Sequence, residues 1–527
     1  MNNSASRVKS KRVAVCADRL APCNSICPVG EDIQRWISLV KDKKYRKAWE
    51  VIIRDNPMPA IHGRVCYHYC ETRCNRVDHD AAVNIHCIEQ FLGDMAIAEG
   101  WEVPLPKAGD GKKVLVIGAG PAGLSAAYHL RLLGHEVTIY ESLPQAGGTM
   151  LTGIPAYRLP RKILFGEINR ILNMGIKIIY NHKVNDVIRE KNQGGFEAVF
   201  LGIGAHLGKN IALLLENPCF VMDAIDYLRA VAFNKPPAIG KRLTIYGGSN
   251  TAIDVARTAR RLGVTEINII YHRSRDKMSA FDHEVKDAQA EGIKFIFLRS
   301  IIELKGNTLA MSVNELDDKG LPQNTGVVEN METDALIFAL NQTPDSEFLR
   351  KIPEIEIQHG GTIAVDELFM TGYLGIFAGG DVIPHDKSVT FAVGHGKKAA
   401  RHIDAYLRNT VYNKLSRYEV VHFDKLHVSE DKSAKTKQAE LEVASRVKSF
   451  DEVVFGCNQD EILYEAARCF SCGNCFGCGK CYAICPTQVI AHSELDKKVT
   501  NIDKESCIGC TKCANICPCG AISMVDR

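Results

Sequence analysis

The 527-residue sequence has almost no excess of either charge: 65 Lys and Arg against 62 Asp and Glu leave +3. So small a balance excludes a nucleic-acid surface built on net basic charge, and no long basic tract occurs. A run of 18 apolar residues is also missing, which excludes a membrane-spanning helix. Residues 7–12 are basic but no apolar stretch follows, so no export signal is expected. Cysteine is nearly absent from the middle, where Cys219 stands alone between Cys87 and Cys457. That lack excludes a redox dithiol of the disulfide-reductase kind from this stretch. At the two ends cysteine is abundant, with seven from Cys16 to Cys87 and twelve from Cys457 to Cys519. Without an export signal, such a load argues for a reducing, cytoplasmic setting and for metal ligation rather than disulfides.

The spacing of the last block names the metal. Cys475-x2-Cys478-x2-Cys481-x3-Cys485-Pro486 is followed by Cys507-x2-Cys510-x2-Cys513-x3-Cys517-Pro518. A tight C-x-x-C-x-x-C loop wraps three thiolates around one face of a cubane, and the fourth Cys of each run ligates the other cluster. The expected sets are Cys475, Cys478, Cys481 and Cys517 on one 4Fe–4S cluster, and Cys507, Cys510, Cys513 and Cys485 on the other. Zinc knuckles or a disulfide framework fit the doubled run poorly.

At roughly 150 residues per domain the length implies three or four domains. In the middle, Lys112–Ile117 reads as a buried parallel strand. It opens into Gly118-Ala119-Gly120-Pro121-Ala122-Gly123, a helix, and a second strand ending at Glu141. The glycines make the turn, admit a pyrophosphate and pack helix on strand, while Glu141 takes a ribose hydroxyl. A second unit runs from Arg242 through Gly247-Gly248-Ser249-Asn250-Thr251-Ala252 to a strand ending at Tyr271. Here Ser249 stands where the motif wants glycine. Arg273 and Arg275 follow the strand in place of an acid, which suits the 2′-phosphate of NADP, although a solvated surface pair reads equally simply. Two such units imply FAD plus NADP(H) or NAD(H). The run Ala378-Gly379-Gly380-Asp381 and a helix opened by Thr390 complete the flavin site.

These motifs resemble the small subunit of bacterial glutamate synthase and its relatives, including the reductase half of dihydropyrimidine dehydrogenase. The matching residues run in order: Cys23-x3-Cys27-Pro28, Asp55-Asn56-Pro57, Gly63–Cys66, Gly118–Gly123, Gly147-Gly148, Gly153–Pro160, Asn250–Ala252 and Ala378–Asp381. The resemblance covers nearly the whole chain. The fused ferredoxin end looks most like electron-transfer proteins that accompany dissimilatory sulfite reductase or benzoyl-CoA reductase. It implies FAD positions at Glu141, Gly148, Arg158, Asp381 and Thr390, and nicotinamide-nucleotide positions at Gly248, Asn250, Thr251, Arg273 and Asn341. Ser249 and Asn341 depart from the family's glycines, which weakens the nucleotide site rather than the flavin site.

Residues 31–54 carry Ile33, Trp36, Ile37, Val40, Tyr45, Ala48, Trp49 and Ile52 at helical spacing, a small all-α core. In the family such a domain holds two 4Fe–4S clusters. One falls to Cys27, Cys66 and Cys70, with Glu89 or Cys87 as the fourth ligand. The other family cluster opens with Glu-Ala-x-Arg-Cys-x-x-Cys before the Cys23 position, where this chain has only Cys16. The missing piece stands far away as Glu465-Ala466-Ala467-Arg468-Cys469-Phe470-Ser471-Cys472. Residues 446–472 are therefore expected to fold back, so that Cys469 and Cys472 complete a cluster with Cys23 and Cys74. Cys16, Cys87, Cys219, Cys457 and Cys519 are left over.

The expected fold is multidomain. It comprises an α-helical iron–sulfur domain (1–108), two α/β Rossmann-like domains, a linker or excursion (409–468), and an α+β ferredoxin-like domain (469–527). The FAD domain takes 109–205 and 342–408, and the NAD(P) domain takes 206–341. The expected function is an oxidoreductase taking hydride from NAD(P)H onto FAD and passing single electrons through four clusters. The acceptor is a partner reductase or a ferredoxin in a hetero-oligomeric complex. The alternatives are an electron-conducting adaptor with an inactive nucleotide site and a flavin-bifurcating subunit.

Overall fold

The computed structural model describes residues 10–17, 19–105, 111–208, 214–412, 418–494 and 498–527. The expected boundary at 108/109 and the basic residues before 10 lie outside them. Two compact units result, one of residues 1–101, 413–438 and 456–527, the other of 102–412 and 439–455.

The larger unit holds two parallel five-stranded sheets. One is ordered Ile376–Ala378, Ala198–Leu201, Lys113–Ile117, Glu136–Tyr140, Lys177–Ile179. The other is ordered Lys294–Phe297, Glu266–Tyr271, Arg242–Tyr246, Ala335–Phe338, Phe220–Asp223. Ala198–Leu201 and Ala335–Phe338 are buried along their whole length, as sheets covered on both faces require. Each glycine turn leaves a strand and enters a helix, Pro121–Leu132 in the first sheet and Asn250–Arg261 in the second. The Ser125 hydroxyl donates to the Val393 carbonyl at 2.7 Å, fastening the first helix to the long helix Val389–Leu407. A smaller sheet carries the hairpin Thr308–Leu316 and Pro322–Glu332, whose outer strand is exposed.

The smaller unit packs the helices Ile33–Lys41, Tyr45–Ile52, Pro59–Val65 and Ile85–Ala98 with Gln459–Arg468 from far along the chain. Ile33, Trp36, Ile37, Val40, Ala48, Ile52, Ile88 and Leu92 form one core with Ile462 and Ala466. Asn458 and Glu461 start the distant helix with a reciprocal capping box, which satisfies two otherwise orphaned N–H groups. The C-terminal strand Ile522–Asp526 pairs antiparallel with Arg12–Cys16, Cys16 opposite Ile522.

The excursion is not a solvated linker throughout. Within the larger unit, Leu441 N–H donates to Val453 O at 2.8 Å and Val453 N–H to Tyr157 O at 3.0 Å. The buried Arg446 guanidinium meets Glu440 and Asp287. In the smaller unit the helix Gln459–Arg468 enters the core. A polar composition concealed these anchors because they are single apolar, arginine and backbone contacts scattered among solvated residues.

Candidate iron–sulfur centres and dinucleotide sites

Glu465 and Arg468 fix the displaced motif. The fully buried Glu465 carboxylate accepts N–H bonds from Asn84 at 2.9 Å and Thr436 at 2.6 Å. Arg468 donates to Glu465 at 2.7 Å and to the carbonyls of Ala81 and Ala82 at 2.7 and 3.1 Å. Arg76 donates to Arg468 O at 2.7 Å and lies over the Phe470 ring. Cys469 follows the last helical residue, so its thiol is aimed by a clamped helix end. Asn75 Nδ2 donates to Cys472 Sγ at 3.3 Å, and Ser471 N–H to Cys469 Sγ at 3.4 Å. Burial pushes the Cys23 thiol up, and the sulfurs of Cys74, Cys469 and Cys472 beside it add to the rise. Cys469 goes up to about 11 and Cys472 to about 12, burial again leading. Four half-buried thiols so grouped, with Cys23 raised by the other three, resist ionising together unless a cation holds them, a donor set that suits a metal cluster.

Cys27, Cys66 and Cys70 form a second group. Burial raises Cys27 first, then the Glu31 carboxylate, with Cys66 and Glu89 also in range. Cys70 is raised by burial and then by Glu71, Cys66 and Cys27. His68 N–H donates to Cys66 Sγ at 3.4 Å. Glu89 is buried and held by the fully buried Asn56, whose Nδ2 approaches Glu89 Oε1 at 2.7 Å, Glu31 Oε1 at 3.0 Å and His62 Nδ1 at 2.9 Å. Asn56 Oδ1 is taken by Met58 N–H at 3.0 Å, which fixes the amide orientation. Cys87 is not in this group. It forms a disulfide with Cys457, 370 residues away, against the expectation that no cysteine pairs. The reason is tertiary: the segment before the displaced helix crosses the helix Ile85–Ala98, bringing the two Cα atoms within 5.9 Å.

At the C-terminus Cys475, Cys478, Cys481 and Cys517 line one cavity of about 280 Å³. Cys507, Cys510, Cys513 and Cys485 line another. The fourth cysteine is thus exchanged between the halves, as the doubled run requires. Cys16 and Cys519, which the motif left over, line the first cavity as well.

In the flavin-type unit Glu141 Oε2 accepts the Ala119 N–H at 2.7 Å and Oε1 accepts Leu143 N–H at 2.8 Å, so the acid also braces the glycine turn. A Cβ on Gly123 would lie 1.9 Å from Gly118 O, so only glycine allows helix and strand this close. Gly148 sits at φ +51°, and a Cβ there would be 2.7 Å from Gly120 Cα, narrowing the approach to the second motif glycine. Thr390 is the second residue of the helix Val389–Leu407, which Ser388 caps through Phe391 N–H. Its buried hydroxyl has no partner among the described residues, and an orphaned buried donor in the first turn of this helix fits a flavin. His395, not singled out by its sequence context, accepts Gly380 N–H at 3.2 Å. Burial lowers it to about 3, so it stays neutral and holds the turn before Asp381.

Burial drives Asp381 up to about 6, against a smaller downward pull from Lys387. A carboxyl raised in the folded state stabilises fully below its ordinary 3.8, and that contribution is lost as pH rises through about 6. Asp381→Asn is therefore expected to flatten the decline in flavin-free stability between about pH 4 and 6, read by thermal unfolding at each pH. An unchanged pH profile would count against it.

Arg158 is engaged by carboxylates of the second dinucleotide-type unit. Its guanidinium donates to Asp254 at 2.9 and 3.0 Å and pairs with Glu284 at 3.0 Å. Beyond lie Arg257, Glu291 and Arg261, the two arginines stacked on Tyr157. Of these Asp254, Arg257 and Arg261 share a face of one helix. That spacing was the available signal, though alone it reads as a solvated stripe.

In the second unit the loop after the strand wraps the glycine turn. Ala280 N–H donates to Gly248 O at 3.0 Å, and Phe281 N–H to Asn250 Oδ1 at 3.0 Å. A Cβ on Gly248 would meet the Tyr271 ring at 2.6 Å. Ser249 precedes the helix without a side-chain cap, and Thr251 lies in its first turn. Arg273 is exposed, Arg275 pairs with Asp282, and Asn341 is exposed.

Residues 112–396 match the pyridine nucleotide-disulphide oxidoreductase family. Residues 1–101 match the dihydropyrimidine dehydrogenase domain II, 4Fe-4S cluster, and 474–521 a 4Fe-4S dicluster domain. The NADP(+)-dependent formate dehydrogenase subunit beta of Moorella thermoacetica is 35% identical, covering 86% of this chain and 70% of that one. The NADPH-Fe(3+) oxidoreductase subunit beta of Geobacter sulfurreducens is 32% identical over 86% and 75%. The glutamate synthase (NADPH) small chain of Azospirillum brasilense is 31% identical over 73% and 86%. No helix among the described residues is long and apolar enough to cross a membrane. The chain belongs to the pyridine nucleotide-disulphide oxidoreductase family, among the glutamate synthase small-chain-like oxidoreductases that join an FAD/NAD(P) core to 4Fe–4S domains.

Proposed function

We propose that this chain is the electron-transfer subunit of a larger assembly, drawing reducing equivalents from NADPH for a partner oxidoreductase or ferredoxin. The observation that supports it is that one chain carries both closely grouped cysteines in the smaller unit and two dinucleotide-type glycine turns in the larger. When bound, FAD supplies the conversion between electron pairs and single electrons, and 4Fe–4S clusters carry the single electrons. The chain's own part is placement. Cys23, Cys74, Cys469 and Cys472 are the ligands of one N-terminal cluster, and Cys27, Cys66, Cys70 and Glu89 of the other. Asn56 orients Glu89, and the clamped helix end orients Cys469. Cys472 and Cys475 are three residues apart, so their Cα atoms lie within about 11 Å, and composite and ferredoxin ligands are adjacent by covalent necessity.

Arg273 and Arg275 are the residues proposed to meet the 2′-phosphate. Arg273→Ala is expected to raise the KM for NADPH roughly 10-fold or more, as for a lost charge-assisted bond, and leave NADH alone. Equal effects on both nucleotides would remove these arginines from the site. A second reading, an adaptor without nucleotide entry, is favoured by Ser249, by Asn341 and by the Tyr271 ring pressed against Gly248. Anaerobic addition of NADPH, then NADH, to the holoprotein separates the two. Bleaching of flavin and cluster absorbance supports the reductase. No bleaching in protein that dithionite reduces supports the adaptor.

A further inference from the structure

The two exchanged ligands stand in matching tripeptides, Cys485-Pro486-Thr487 and Cys517-Pro518-Cys519. In each the third residue turns back on the first. Thr487 Oγ1 lies 3.7 Å from Cys485 Sγ, and Cys519 Sγ lies 3.7 Å from Cys517 Sγ. Thr487 lines the cavity of Cys485, and Cys519, 2% exposed, lines that of Cys517. A thiolate bound to iron has no proton to give and can only accept. With the clusters in place, Thr487 O–H and Cys519 S–H must therefore be the donors. Ala521 N–H adds a second bond to Cys517 at 3.3 Å.

We propose that Thr487 and Cys519 tune the two C-terminal clusters, each donating to the thiolate its cluster takes from the other half. The inference rests on the ligand sets of the proposed function. Hydrogen bonds to cluster sulfurs are among the determinants of reduction potential. A donor favours the more negative, reduced cluster, so it raises the potential. Hydroxyl is a stronger donor than thiol, so the step from Thr487 exceeds that from Cys519. The repeat is thereby asymmetric at the one position where the two tripeptides differ.

The test is an EPR-monitored potentiometric titration of the full-length holoprotein, with iron counted in each variant. Thr487→Val is expected to lower one midpoint and Cys519→Ala another, each changing the reduced-to-oxidised ratio roughly threefold to tenfold, about 30 to 60 mV at 59 mV per decade. Thr487→Ser keeps the hydroxyl and is expected to restore the first midpoint. Cys519→Ser, a stronger donor, is expected to place the second at or above wild type. Unchanged midpoints at full iron content overturn the proposal. So does loss of iron in Cys519→Ala, which would make Cys519 a ligand. Absence of two interacting C-terminal 4Fe–4S signals in the wild-type protein would instead sink the ligand sets beneath it.

Discussion

Replacing Cys469 and Cys472 together by alanine is expected to remove one cluster, about four irons per chain, and leave the flavin and the other clusters in place. The selectivity follows from how the segment is held. Glu465, Arg468, Arg76 and the capping box at Asn458 do not involve either thiol, so the helix Gln459–Arg468 stays docked when the ligands go. Cys23 and Cys74 remain, and two thiolates do not retain a cubane. Reduction of the C-terminal clusters by NADPH is expected to slow sharply, because the lost centre includes the ligands that adjoin Cys475. Iron analysis with EPR of the dithionite-reduced protein reads the result. Full iron and an unaltered spectrum would show that Cys23 and Cys74 find ligands elsewhere.

Glu291→Ala is expected to cost about 3–5 kcal/mol in the larger unit, the range for breaking a buried ion pair by removing one partner. Glu291 is wholly buried and accepts from Arg257 at 2.8 and 3.1 Å and from Arg261 at 2.7 and 3.0 Å. Arg257 retains Glu284 and Asp287, but among the described residues Arg261 keeps only the Arg257 carbonyl as an acceptor, at 2.9 Å. A buried guanidinium would be stranded. Burial pulls the Glu291 carboxyl up, but the bonds from Arg261 and Arg257 outweigh it and hold it below its ordinary 4.5. Its contribution is therefore present above pH 4.5 and lost as pH falls through the depressed folded value. Denaturant unfolding followed by flavin fluorescence reads the change. A loss under about 1 kcal/mol would mean that Arg261 finds water or another acceptor.

Local pattern and long-range assembly separated cleanly in this chain. Gly118–Gly123 with Glu141, and the doubled cysteine run, were legible because turn, helix start and ligand loop lie within a few tens of residues. Helical spacing likewise marked the core positions Ile33, Trp36, Ile37 and Val40. The partners of Arg158 were not legible, because resemblance assigns a position and position does not say which carboxylate a guanidinium meets. Asp254 and Glu284 come from two helices of the other dinucleotide unit. The hydroxyl of Thr390 and the imidazole of His395 became meaningful only once burial and the absence or presence of a partner could be seen.

By itself the sequence determined the chemistry: which cysteines form ligand loops, where two phosphate-binding turns occur, and that no dithiol lies between them. These are properties of spacing, and spacing is local. Only the tertiary structure decided which distant groups meet: Cys23 and Cys74 with Cys469 and Cys472, Cys87 with Cys457, Arg12–Cys16 with Ile522–Asp526, and Arg261 with Glu291. A displaced motif hinted at the first of these, and nothing hinted at the second. The physical reason is that closing a loop of several hundred residues costs little more than closing a shorter one. Chain separation therefore carries almost no information about partners, and burial, shape and charge at the point of contact make the choice.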